Sequence, residues 1–103
     1  MKYGKVAGID KPVSRLVLGT MIVNLERYAE SAALLDAAVG AGWNTLALAH
    51  VYGGGNTERA VGRWMQERGN REQLVLIDKG AHHNLDRQRV TPFDIAADLH
   101  DSL

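Results

Sequence analysis

The sequence contains no cysteine. Disulfides and cysteine metal centres are therefore excluded, and a reducing cytoplasm is allowed. Neither sign of charge is in excess: 12 basic and 12 acidic residues give a formal net charge of zero. Nothing steers the chain toward nucleic acid or an acidic membrane surface, and little charge repulsion opposes self-association. No apolar run approaches the ~20 residues needed to span a bilayer. The start, Met1-Lys2-Tyr3-Gly4-Lys5, lacks the apolar stretch of a signal peptide. The expected setting is that of a soluble cytoplasmic protein. Linkers, repeats and low-complexity segments are also missing.

What is present is 103 residues, 46% hydrophobic and 6% aromatic, an ordinary composition for one α/β domain. Gly4, Gly8 and the Asp10-Lys11-Pro12 turn predict two short strands folded as a hairpin over residues 1–14. Leu16-Val17-Leu18-Gly19-Thr20 then reads as a short buried strand. From Tyr28 to Ala41 the period becomes helical, with Tyr28, Ala32, Leu35 and Val39 on one face and Gly40 and Gly42 at the end.

Asn44 to Ala49 predicts a second strand, with Leu46 and Leu48 on one face and Thr45, Ala47 and Ala49 on the other. After the Gly53-Gly54-Gly55 loop, Asn56 or Thr57 is expected to cap a helix that buries Ala60, Val61, Trp64 and Met65 and ends at Gly69. Leu74 to Lys79 reads as a third strand, apolar enough to be covered on both faces. Thr91-Pro92-Phe93-Asp94 is a helix start with Thr as N-cap and Pro at the first position. Ile95, Leu99 and Leu103 follow at spacings of four. That last pattern is interrupted without a closing turn, which predicts a truncated chain.

The units are thus a hairpin and three β-α units at 15–42, 43–70 and 71–103. Alternation of this kind implies parallel strands. The result is an open α/β layer or part of a barrel, since a complete (β/α)₈ barrel takes about 250 residues. Other features carry less. The three glycines lack the G-x-G-x-x-G and Walker patterns and read as a positive-φ turn. His50, His82, His83 and His100 show no metal-ligand spacing, so no metal is expected. His82 and His83 read as loop residues, and Trp43 and Trp64 as packing residues.

The stretch Ala41-Gly42-Trp43-Asn44, then Ala47-Leu48-Ala49, Tyr52-Gly53, Glu58 and Gly62 resembles the aldo-keto reductase signature. Leu18-Gly19-Thr20-Met21 resembles that family's first strand end, and Ile77-Asp78-Lys79 its third. The resemblance covers nearly the whole chain. It implies a partial (β/α)₈ TIM barrel whose bottom is plugged by the hairpin. It also implies NADPH-dependent carbonyl reduction in the parent family. Tyr52 then matches the proton-donating tyrosine and Lys79 the lysine beside it. Gly19, Thr20 and Met21 match a contact with the nicotinamide side of the cofactor.

One departure stands out. The family's aspartate, which pairs with the lysine, falls on Ala47. The family's histidine belongs to a fourth strand. The resemblance therefore implies a fragment that is inactive by itself and does not bind NADPH, with a small carbonyl substrate only in the parent enzyme. The alternative expectation is a structural or self-assembling barrel fragment that forms oligomers through its open strand edges.

Overall fold

The computed structural model describes residues 1–103. Its N-terminal segment folds back on itself: β1 (Tyr3–Gly4) pairs antiparallel with β2 (Val13–Ser14), Tyr3 opposite Ser14. Gly8 sits in the intervening turn at φ 84°, where glycine has no Cβ penalty. Three further strands follow, each leading toward a helix: β3 (Leu18–Gly19) and α1 (Tyr28–Gly40), β4 (Thr45–Ala47) and α2 (Asn56–Arg68), β5 (Val75–Ile77) and α3 (Pro92–Ser102). They form one parallel sheet in the order β3-β4-β5. This is the predicted hairpin and partial-barrel α/β arrangement.

The sheet's central strand makes the core. Leu46 and Leu48 lie on one face, as their period of two requires, and both are buried against Leu35 of α1 and Ala60, Val61 and Trp64 of α2. Trp64 is fully buried, and its indole N–H donates to Asp36 of α1 at 2.8 Å. Arg68 grips the same carboxylate with two bonds, so α1 and α2 are joined by a polar clasp at the rim of their apolar contact.

The hairpin docks at the N-terminal ends of the strands. Ser14 N–H donates to Asn44 Oδ1 at 2.8 Å, and Asn44 Nδ2 donates to the Pro12 carbonyl at 2.7 Å. Lys11 Nζ donates to the carbonyls of Glu72 and Leu74. Each of these bonds satisfies a backbone group that a bare strand end would leave open.

Three expectations need correction. Neither Asn56 nor Thr57 caps α2. The N-cap is Gly55, at φ 93°, and makes no side-chain bond. Asn56 and Thr57 instead face the loop between β3 and α1: Asn56 Oδ1 accepts from Leu25 N–H at 2.7 Å, and Thr57 Oγ1 donates to the Val23 carbonyl at 2.7 Å. Tertiary partners have taken the side chains that a local cap would use.

β5 is not covered on both faces. It is an outer strand of the sheet, and Ile77 is 45% exposed. The apolar stripe of α3 is also uncovered: Ile95 is 49%, Leu99 59% and Leu103 93% exposed. The face that α3 buries carries Asp94 and Asp98. The predicted start of α3 is correct, with Thr91 accepting from Asp94 N–H and Pro92 at the first turn. No helix is long and apolar enough to cross a membrane.

Thr57→Val keeps the shape of a fully buried side chain and removes its bond to the Val23 carbonyl. It is expected to cost about 1–3 kcal/mol, the range for stranding a buried acceptor. A lower urea midpoint at unchanged slope is the check.

Candidate active site

Parallel strands bring all their C-terminal ends to one side of the sheet, and every expected site residue lies there. Ala47 closes β4, paired with Gly19 on one flank and Ile77 on the other. Tyr52 opens a 3₁₀ turn, Tyr52–Gly55. Gly53, Gly54 and Gly55 all take positive φ, at 57°, 64° and 93°, so this turn is closed to residues with a Cβ except at a strain cost. Lys79 lies two residues beyond β5.

The turn and β5 bring these two side chains together. Lys79 Nζ sits 5.1 Å from the centroid of the Tyr52 ring, within range of a cation–π contact. The ammonium also donates to the Leu48 carbonyl. Ala47 offers it only a methyl group. The Ala47 carbonyl is itself occupied, accepting from Thr20 N–H at 3.2 Å and Thr20 Oγ1 at 2.8 Å. Thr20 is fully buried and ties the β3 end to β4. Gly19 and Met21 form the open part of that end. A Cβ added at Gly19 would meet nothing within 4 Å, and Met21 is 70% exposed.

A second polar group borders the Tyr52–Lys79 pair, and the sequence pattern did not single it out as a cluster. His50, just past β4, faces Asp101 at 3.2 Å and Asp98 at 3.7 Å on α3. Glu58 on α2 accepts from Ser102 at 3.1 Å. Burial pushes the Glu58 carboxyl up, the Ser102 hydroxyl pulls it down, and the neighbouring Asp78 carboxylate pushes it up again. Only the assembled fold unites these residues, which are separated by up to 51 positions. A cavity of about 370 Å³ opens beside Lys79, between Asp78–Ala81 and the Ile95–Leu99 turn of α3. No cluster of three or more His, Cys, Asp or Glu side chains is arranged to hold a metal ion. His82 and His83 stack on each other on the exposed loop.

The fold and this strand-end arrangement define a partial (β/α) barrel with a tyrosine–lysine pair at its open end. Residues 15–103 match the model of the aldo/keto reductase family, and the chain belongs to that family. It is 34% identical over 118 residues to Protein tas of Escherichia coli, covering 100% of this chain and 34% of that protein. Norsolorinic acid reductase A of Aspergillus parasiticus is 40% identical over 75 residues, covering 65% of this chain and 19% of the relative.

Among solved structures, the holo form of an aldo-keto reductase from Bacillus halodurans superposes with a TM-score of 0.80 at 25% identity, over 100% of this chain and 35% of that one. A glycerol dehydrogenase from Gluconobacter oxydans gives a TM-score of 0.77 at 26% identity, over 98% and 34%. The chain thus spans about a third of the length of these proteins.

Two pH effects follow. The Arg89 guanidinium, helped by the Ala81 N–H, holds Asp98 down at about 2 despite its burial. Arg87 and the Thr91 hydroxyl hold Asp94 well below the ordinary carboxylate range. Depressed carboxyls stabilise the fold above their unfolded pKa near 4, and that stability is lost as pH falls through the folded value. Amide exchange within α3 is therefore expected to accelerate between about pH 4 and pH 2, and Arg89→Met to move the onset toward neutral pH.

Glu58 has the opposite sign. Its raised carboxyl is a penalty present only when ionised. Glu58→Gln, which still accepts from Ser102, is expected to raise the thermal midpoint at about pH 7 and to leave it unchanged at about pH 4.

Proposed function

We propose that this chain carries the proton-donating half of an NADPH-dependent carbonyl-reducing site, and that the 103 residues by themselves do not turn over. The observation that carries the reading is the Lys79 ammonium held against the Tyr52 ring at the C-terminal ends of the strands. Barrel enzymes place their chemistry at that end.

The cofactor, when bound, supplies the hydride that reduces the carbonyl carbon. Tyr52 delivers its phenolic proton to the carbonyl oxygen, which leaves an alcohol and a tyrosinate. A tyrosine with an ordinary pKa near 10 gives up its proton reluctantly at neutral pH. The family resemblance assigns help with that step to the lysine beside the ring, here Lys79. Gly19 and Met21 fit the flat edge of a nicotinamide, since the glycine leaves open space above the strand end. Thr20 acts there indirectly, by fastening β3 to β4 through the Ala47 carbonyl.

Two features support inactivity. Ala47 removes the carboxylate that the family resemblance pairs with the lysine. The chain also spans about a third of its relatives' length, so it offers one edge of a cofactor site. Catalysis needs donor and carbonyl held at near-attack distance, and one edge does not fix both. A cytoplasmic setting belongs to this reading and is allowed by the lack of cysteine.

A second reading, self-assembly, draws on a separate observation. β3 and β5 are the outer strands, and Leu16, Val17, Ile22 and Ile77 near them are all more than two-fifths exposed. Unpaired edges beside apolar side chains favour pairing with another copy.

In a fluorescence titration of this chain with NADPH, no saturable binding is expected up to millimolar cofactor, and Ala47→Asp is expected to restore no carbonyl reduction. Turnover in that variant would place the defect in residue 47 alone and end the claim of inactivity through missing contacts. Light scattering checks the second reading, which a monomer over a wide concentration range excludes.

A further inference from the structure

The ladder between β4 and β5 lacks a rung at its catalytic end. Leu48 N–H donates to the Ile77 carbonyl at 2.8 Å, and His50 N–H donates to the Lys79 carbonyl at 2.9 Å. Regular parallel pairing places one more bond between them, from Lys79 N–H to the Leu48 carbonyl. Here the Lys79 N–H donates to its neighbour's carboxylate, Asp78 Oδ1, at 2.9 Å. The vacated Leu48 carbonyl accepts the Lys79 ammonium.

Resting on the reading of Tyr52 and Lys79 as the proton-donating pair, we propose that Asp78 is a positioning residue for it. By capturing the Lys79 backbone N–H, Asp78 frees the Leu48 carbonyl to hold the ammonium beside Tyr52, in place of the carboxylate that Ala47 does not supply. The exchange is favourable in kind. One neutral backbone bond is given up, and two charge-assisted bonds made by exposed side chains replace it. The ammonium keeps an acceptor where position 47 offers none. Glu58 of α2 lies near the Asp78 carboxylate, and Glu58 is in turn bonded by Ser102 of α3.

The direct test is the coupling across the hydrogen bond in isotopically labelled wild-type protein. A coupling from Lys79 Nζ to the Leu48 carbonyl carbon is expected. Its absence, or a coupling from the Lys79 amide nitrogen to that carbon instead, overturns the proposal. Variants then test the role of the carboxylate. In Asp78→Ala the rung re-forms and the ammonium is released, so acylation of Lys79 by acetic anhydride is expected to rise roughly fivefold relative to Lys2 and Lys5, as for loss of one hydrogen bond.

Asp78→Asn retains the acceptor oxygen without its charge and is expected to label between the wild-type and Asp78→Ala rates. An Asp78→Ala protein that is folded and labels like wild type refutes the assignment. If Asp78→Ala does not fold, the wild-type coupling decides. No cofactor or substrate enters these measurements, so their failure leaves the carbonyl-reductase reading intact, and failed NADPH binding leaves this one intact.

Discussion

The C-terminal end of the sheet hangs from β4. This strand pairs with a parallel neighbour on each side, while Leu46 and Leu48 are sealed beneath α1 and α2. Burial of two leucines and a tryptophan at this one seam fixes the level of the strand relative to both helices, since a slip of one residue would turn Thr45 and Ala47 into the helices. Once that register is set, the ends of β3 and β5 are set with it. The turn after β4, the strand end at Gly19–Met21 and Lys79 then have no freedom to meet anywhere else. The hairpin holds the opposite end by bonding to Asn44 and to carbonyls near β5. It leaves the chemical end open.

The same strand explains how a lysine survives beside an alanine. Lys79 is exposed, so its charge keeps access to water and what it needs from the fold is an orientation. Position 47 offers a methyl group, and the ammonium is satisfied instead by a main-chain carbonyl one residue further on. Backbone groups are available at every position, so a lost side-chain partner can be replaced when a neighbouring rung opens. A carbonyl carries no net charge. It orients the lysine without matching the electrostatic support of a carboxylate.

The legible part of this structure is the part governed by local periodicity. Leu46 and Leu48 announced the buried face of β4 through their period of two, and Ala60, Val61 and Trp64 announced that of α2 through their helical spacing. Gly53-Gly54-Gly55 announced a turn because three adjacent residues without Cβ suit positive φ. The spacing from Ala41 to Gly62 carries the resemblance to the family. Features decided by distant partners were not legible. Asn56 and Thr57 sit where caps usually sit, yet they serve a loop more than thirty residues away. Asp78 reads as one residue of a strand end. Its capture of the next N–H depends on a rung that a sequence does not display.

α3 shows the limit most clearly. Its repeat of Ile95, Leu99 and Leu103 has the look of a core face, but the helix is held by ion pairs. Arg87 binds Asp94 through two bonds, and Arg89 binds Asp98 through two more. Both arginines come from the loop that leads into the helix, so these clamps fold α3 against its own entrance. Contact with the rest of the molecule is mostly polar, through His50 and Glu58. The molecule therefore has two regimes. The β4 seam rests mainly on apolar burial, with the depressed Asp36 carboxyl only at its rim, whereas α3 rests on depressed carboxyls and is sensitive to acid. The Ser102–Glu58 bond joins the second regime to α2 in the first.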